Sequence, residues 1–280
     1  MGEETLLIVG NGFDLAMGFK TSYGDFMKSP FFPKNNSTLC SYLLKECRAN
    51  MGWIDIENEL SKYSKLLSSF ELKSEQDELK WGVTAFRKQY EDLKSSLKTY
   101  LCEVTKRQFN PKPANYAKSV IEQLPSDSKI ISFNYTSIIE RMTRDRFCAS
   151  KGNLLHIHGS LAPYDDIVFG VEDSAKLSKE HVFLYKAHSP HLKVQEFSDW
   201  LNSAKRIIFY GYSLGDTDHQ YFEKFFRKLC SGDSSYTELV FYYYGQSSYD
   251  NLIWQLQMLT NHKLTQLQIQ NKIEFIDCSM

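Results

Sequence analysis

Apolar residues along this chain keep two rhythms. Short runs rich in β-branched and aromatic side chains, each closed by turn residues, stand at 6–9 (LLIV), 129–133 (KIISF), 153–157 (NLLHI), 166–169 (DIVF), 206–210 (RIIFY), 238–242 (ELVFY) and 273–276 (IEFI). Runs of this make predict strands. Three- and four-residue spacing takes over between several of them, at 217–229 and 249–259, and predicts helices. Strands alternating with helices imply an α/β fold, a mostly parallel Rossmann-type sheet flanked by helices. One region breaks the alternation: from about 38 to 124 no convincing strand is found. Within it Leu79, Val83, Phe86, Tyr90, Leu93, Leu97, Leu101 and Val104 follow helical spacing. That stripe predicts one long amphipathic helix packed on a neighbouring helix. The expected organisation is a single domain over 1–280, with a large helical insertion at about 38–124 serving as a lid or an assembly surface. Residues 29–37 (SPFFPKNNS) read as a loop between helices.

Composition narrows the setting. The formal net charge is −1 over 280 residues, so no global charge field draws the chain to nucleic acid or an anionic membrane. The basic residues Arg141, Arg144, Arg146 and Lys151 read as a solvated helix face. Cys40, Cys47, Cys102, Cys148, Cys230 and Cys278 are scattered without a C-x-x-C pair, which fits a reducing cytoplasm and argues against a zinc ribbon. The N-terminal apolar run is too short for a signal peptide and follows acidic residues. No stretch approaches the length of a membrane span. A cytoplasmic protein is expected.

Polar signatures gather where four of the strands finish. They are Gly10-Asn11-Gly12-Phe13-Asp14, Ser132-Phe133-Asn134-Tyr135-Thr136, His156-Ile157-His158-Gly159 and Gly211-Tyr212-Ser213-Leu214-Gly215-Asp216-Thr217-Asp218-His219. Two glycines within three residues imply a tight turn or a close approach by something bulky. In a parallel sheet the carboxyl ends share one edge, so these segments would line a common crevice, the place where α/β folds hold nucleotides.

Taken together, GNGFD with the following TSYGDF, then WIDIENEL, ISFNYT, HIHG, IVFG and GYSLGDTDH, in that order over roughly residues 5–219, resemble the bacteriophage abortive-infection AbiH family, a distant relative of the sirtuin-like NAD-binding fold. The resemblance implies a cleft that binds NAD as substrate or ligand and, by likeness to sirtuin-like defence proteins, an NADase. It places Gly10, Asn11 and Gly12 under the pyrophosphate, with Phe13, Asp14 and Tyr135 beside the nucleotide. Asn134 matches the asparagine that positions the attacking water or the nicotinamide ribose, and His158 the catalytic histidine. Gly211 and Ser213 match a glycine–serine turn against phosphate or ribose. Further implied are abortive infection as the biological role and a homo-oligomer or a defence partner protein as company.

Those residue types suit the chemistry. Cleavage of the nicotinamide–ribose bond passes through an oxocarbenium-like centre, as in glycoside cleavage. A histidine titrating near neutrality suits the base, and an asparagine amide can hold a water or ribose hydroxyl. Plainer readings stay open. Asn134 would otherwise cap the helix after Thr136, and His156 is expected to be a hydrogen-bonded core residue. Asp216 and Thr217 serve a helix start, with Asp218 or His219 reaching the ribose and no metal. Asp55 and Glu57 offer a helix-start charge or a salt bridge, Tyr23 a buried aromatic. Lys186 and His188 have no assigned place. The first loop is G-x-G-x-x-L, not the dehydrogenase fingerprint, and the zinc module of protein deacetylases is absent. The alternative function is a non-catalytic module that senses NAD or ADP-ribose.

Overall fold

A computed structural model describes residues 4–34, 37–50, 54–107, 116–144, 152–232 and 236–279. In chain order the elements are β1 (Thr5–Val9), α1 (Asn11–Ala16), α2 (Tyr23–Lys28), α3 (Thr38–Ala49), α4 (Ile56–Ser68), α5 (Glu75–Trp81), α6 (Val83–Thr105), α7 (Tyr116–Gln123), β2 (Lys129–Ser132), α8 (Ile138–Thr143), β3 (Leu154–His156), α9 (Phe197–Ser203), β4 (Arg206–Tyr210), α10 (His219–Leu229), β5 (Glu238–Tyr243), α11 (Gly245–Leu259), α12 (Leu264–Gln270) and β6 (Lys272–Asp277), with short 3-10 turns between β3 and α9 and before α10. Arg146, Cys148, Lys151 and Trp53 lie outside the described residues. The chain divides into two compact units. One comprises Met1–Phe19, Phe109–Ser160 and Lys193–Met280, the other Lys20–Gln108 and Leu161–Leu192.

The first unit is an open parallel sheet of six strands in the order β3-β2-β1-β4-β5-β6. Successive strands step outward from β1 to β3, and then the chain returns to β4 on the other side of β1. The register Ile130↔Leu7↔Ile208↔Val240 lays apolar side chains in rows across the sheet. Leu7, Val9, Ile130, Ile208 and Val240 pack with Phe13 of α1 and Met17 at its C-terminal cap, Ala117, Val120 and Ile121 of α7, and Ile138 and Ile139 of α8. The alternate residues Ile8, Phe209 and Phe241 point to the opposite face, as a period of two requires. There Phe209 stacks on Phe241 at 4.7 Å and contacts Phe222 and Phe226 of α10. Every residue of β1 is buried, which explains why its sequence is a continuous apolar run instead of an alternation.

The second unit is helical, and two expectations change in it. The stripe from Leu79 to Val104 is two helices. Gly82 closes α5 and opens α6, and a Cβ there would lie 2.5 Å from the Glu78 carbonyl oxygen. Leu79 is 75% exposed, and the buried stripe starts only at Phe86, continuing through Tyr90, Leu93, Leu97 and Leu101. The run at 166–169 joins no ladder; the bridge nearby joins Val171 to Tyr185. Ile167, Val168 and Phe169 are nevertheless buried. Tyr90 stacks on Phe169 and its hydroxyl donates to the Phe169 carbonyl. The apolar run therefore signals burial, satisfied here by a helix instead of neighbouring strands.

Candidate functional site

In a sheet of this order the connections diverge between β1 and β4, and the crevice beyond those carboxyl ends is where open α/β sheets take ligands. The glycine turns of β1 and β4 meet at that point. The Gly12 N–H donates to the Gly211 carbonyl at 2.9 Å, and the Gly10 N–H to the Tyr210 carbonyl at 3.2 Å. A Cβ on Gly12 would stand 2.6 Å from the Gly211 Cα, and one on Gly10 would stand 2.7 Å from the Gly211 oxygen. Gly211 itself has φ +59, the left-handed region that glycine enters without cost. The bulky neighbour that the two N-terminal glycines accommodate is thus the β4 turn. Three of the amides that a phosphate would use are already committed, those of Gly10 and Gly12 and that of Phe13, which donates to the Gly10 carbonyl. Phe13 is fully buried, edge-on to Tyr210 at 5.8 Å, and belongs to the core. Asn11 and Ser213 are exposed, and Tyr135 is half-buried.

On the α1–α8 side of the strand ends lies a buried polar network. The Asn134 amide donates to the Gly10 carbonyl and to Asp14 Oδ1, both at 2.9 Å, and the Thr136 hydroxyl donates to Asp14 Oδ2 at 2.5 Å. Burial raises the Asp14 carboxyl to about 7, against the lowering effect of Thr136 and Asn134. The nearby Glu140 charge adds to the rise and His156 opposes it. His156 bridges two acceptors, the Asn134 carbonyl at 2.9 Å from Nδ1 and Glu140 Oε1 at 2.7 Å from Nε2. Two acceptors call for two N–H donors, hence an imidazolium. Burial works to lower its pKa, but the bond to and charge of Glu140 outweigh that and hold it above the ordinary value. His156 is thus the hydrogen-bonded core residue expected, while Asn134 ties β2 to the β1 turn instead of capping a helix.

His158 belongs to the other side. Its ring is edge-on to Phe133 at 5.4 Å and tilted against Tyr221 of α10. Its Nε2 lies 3.5 Å from Asp218 Oδ1, and the Tyr212 hydroxyl donates to Asp218 Oδ2 at 2.8 Å. Alternation alone would keep His158 on the side of His156. His156 sits opposite Ser132 in register, on the face that Asn134 continues, whereas Phe133 faces α9 and α10 through Phe197 and Phe222. The strand ends at His156, and the turn that follows carries His158 across to the side of Phe133. Asn134 and His158 thus belong to different clusters at one sheet edge. His219 pairs with Gln255 at 2.6 Å, so Asp218, His156 and His219 each serve a different partner.

The second unit holds a cluster that sequence reasoning left unplaced. Lys186 is buried, with Nζ 2.8 Å from Glu172 and 3.3 Å from Glu57, both also buried. Glu57 Oε1 additionally accepts the Gly170 N–H at 3.2 Å. Gly170 itself must be glycine, because a Cβ would sit 2.2 Å from the Leu184 oxygen. The neighbouring Asp55 caps α4 by accepting the Asn58 N–H at 3.2 Å. Tyr23 is half-buried against Phe169. The glutamate of WIDIENEL and the glycine of IVFG were visible motifs; the lysine joining them lies 129 positions from Glu57, and only the fold reveals the pairing.

Among the described residues no helix is long and apolar enough to cross a membrane. No curated protein matches the sequence. The sequence pattern described as bacteriophage abortive infection AbiH does match, over residues 6–243, and takes in all four strand-end segments. With most of its length matched, the chain belongs to the bacteriophage abortive infection AbiH family, whose role is antiphage defence.

Proposed function

We propose that this defence protein binds NAD at the carboxyl edge of its sheet and hydrolyses it to nicotinamide and ADP-ribose. The observation that carries the reading is the placement of the His158–Asp218 pair beside the β1/β4 divergence, where α/β sheets hold nucleotides. A histidine backed by a carboxylate is a recurrent general base, because the carboxylate orients the ring and stabilises its protonated form. In the step proposed, His158 takes a proton from water, the water oxygen bonds to the ribose anomeric carbon, and the carbon–nitrogen bond to nicotinamide breaks. The bond's electron pair returns to the pyridine nitrogen, and nicotinamide leaves neutral. Asn134 acts here as a positioning residue: its amide fixes the Gly10–Asp14 turn.

A second reading, binding of NAD or ADP-ribose without cleavage, draws on the burial of both His158 and Asp218. Purified protein incubated with NAD separates the two. Release of nicotinamide by wild type and its loss in His158→Ala support hydrolysis; binding of NAD without release supports sensing. The self-association or partner surface expected of the helical block has one support, in that α5 buries none of its residues. Sedimentation of wild type against Leu79→Lys tests it.

A further inference from the structure

Tyr212 stands between the two functional clusters and has no part in the chemistry above. Its ring stacks on Phe133 at 4.3 Å and 29°, which joins the end of β2 to the end of β4. Since β1 lies between those strands, the aromatic pair spans the end of β1. The space over Gly10 is filled in consequence: a Cβ on Gly10 would fall 2.7 Å from Tyr212 Cδ2 and 2.8 Å from its Cα. The hydroxyl is tied to Asp218 Oδ2, while the other oxygen of the same carboxylate faces His158. The segment that carries Tyr212 starts at Gly211 and reaches Gly215, where a Cβ would find only ordinary contact at 3.6 Å. Between them Leu214 holds φ +52, a backbone state that costs on the order of 1 kcal/mol in a non-glycine residue. Short segments with a glycine at either end are suited to hinge motion.

We propose that Tyr212 is a gate: latched by Asp218, its ring occupies the approach to the Gly10–Asp14 turn, and a dinucleotide enters only when the ring swings away and its hydroxyl lets go of Asp218. The gate rests on the NAD reading for the identity of its ligand, but not for its existence. It would couple ligand entry to the orientation of the base, so that the resting protein is held closed without a partner.

Two variants and two measurements test this. Tyr212→Phe keeps the ring and removes the latch; Tyr212→Ala removes both. Hydrogen exchange of the amides at 10–14 reads opening without any nucleotide, and calorimetry with ADP-ribose reads access. With the latch gone, exchange at 10–14 should rise several-fold in Tyr212→Phe while that of β5 and β6 stays at the wild-type level. ADP-ribose should bind about threefold to tenfold more tightly, because the closed state no longer competes. Unchanged exchange at 10–14 in Tyr212→Phe overturns the gate whatever the nucleotide does. So does weaker ADP-ribose binding in both variants, which would make Tyr212 a ligand contact. Raised exchange with no nucleotide bound by any form keeps the gate and removes the NAD reading. Should Tyr212→Ala fail to fold, the Tyr212→Phe arm decides alone.

Discussion

The two units bury charge in opposite ways. The sheet unit places the Asp14 carboxyl among neutral donors, Asn134 and Thr136. The helical unit places the Lys186 ammonium between two carboxylates, Glu57 and Glu172. Burial favours the protonated form of the carboxyl, and Asp14 is pushed up to about 7 although both donors oppose the rise. An ammonium flanked by two carboxylates is compensated where it stands, and removing one member leaves the others buried without their counter-charge. The first arrangement responds to pH near neutrality. The second is a fixed clamp that holds the chain around Gly170 and Lys186 to α4. One lies beside a candidate ligand cleft and the other in a helical frame, and the difference in chemistry matches the difference in location.

Breaking the clamp should give the largest effect. Lys186→Met leaves two carboxylates facing each other, and its cost should reach about 5 kcal/mol, the upper end for a broken buried pair. Denaturation, or hydrogen exchange within 161–192, reads it. The triple variant Lys186→Met, Glu57→Gln, Glu172→Gln should recover most of the loss, since neutralising a buried cluster costs far less than unbalancing it. Recovery failing would mean that packing, not charge, holds the segment.

The pH response of the sheet unit comes next. Asp14 has a folded pKa of about 7 against an ordinary 3.8, so between those values the folded chain holds a proton that the unfolded chain has released. Stability therefore falls as pH rises from about 4 to about 7, by on the order of 4 kcal/mol from this group. His156 works in the same direction: its raised folded pKa adds stability that is complete below the unfolded value and lost as pH climbs through the folded one. Asp14→Asn should flatten the slope between pH 4 and 7, leaving the His156 contribution, which is lost as pH climbs through its raised pKa. A slope unaltered in Asp14→Asn would contradict the assignment.

A smaller loss is expected where the two strand-end turns touch. Gly12→Ala forces a Cβ to 2.6 Å from the Gly211 Cα, backbone against backbone, and should cost about 2–3 kcal/mol. At Gly152, where nothing lies within 4 Å of a Cβ but φ is +124, alanine costs only backbone strain, about 1 kcal/mol. The smallest effect, within about 0.5 kcal/mol, is expected for Leu79→Lys, since that side chain is 75% exposed.

Much of the sheet was legible in the sequence because parallel strands buried on both faces are written as β-branched runs, and β1, β2, β4 and β5 are that. The run at 166–169 misled for the same reason: apolar content reports burial, and Phe169 is buried by Tyr90 instead of by a ladder. The helix expected over 79–104 failed at Gly82, whose cost was outweighed in the periodicity by Leu79 and Val83, both exposed. At the site, the four polar segments could be placed on one edge from the α/β pattern alone. Their division into an Asn134 side and a His158 side could not, because it depends on where β3 stops. The joining of Glu57 to Lys186 was equally illegible, for charge pairing across a long separation leaves no periodic trace.

The proposed nucleotide site is the edge where β1 and β4 diverge. A crystal structure of the protein soaked with a non-hydrolysable NAD analogue tests it most directly. The expected result is density beyond the carboxyl ends of β1 and β4, with the nicotinamide ribose toward His158 and Tyr212 turned from Gly10. Analogue bound tightly at any other place, with Tyr212 still over Gly10 and His158 untouched, would contradict it.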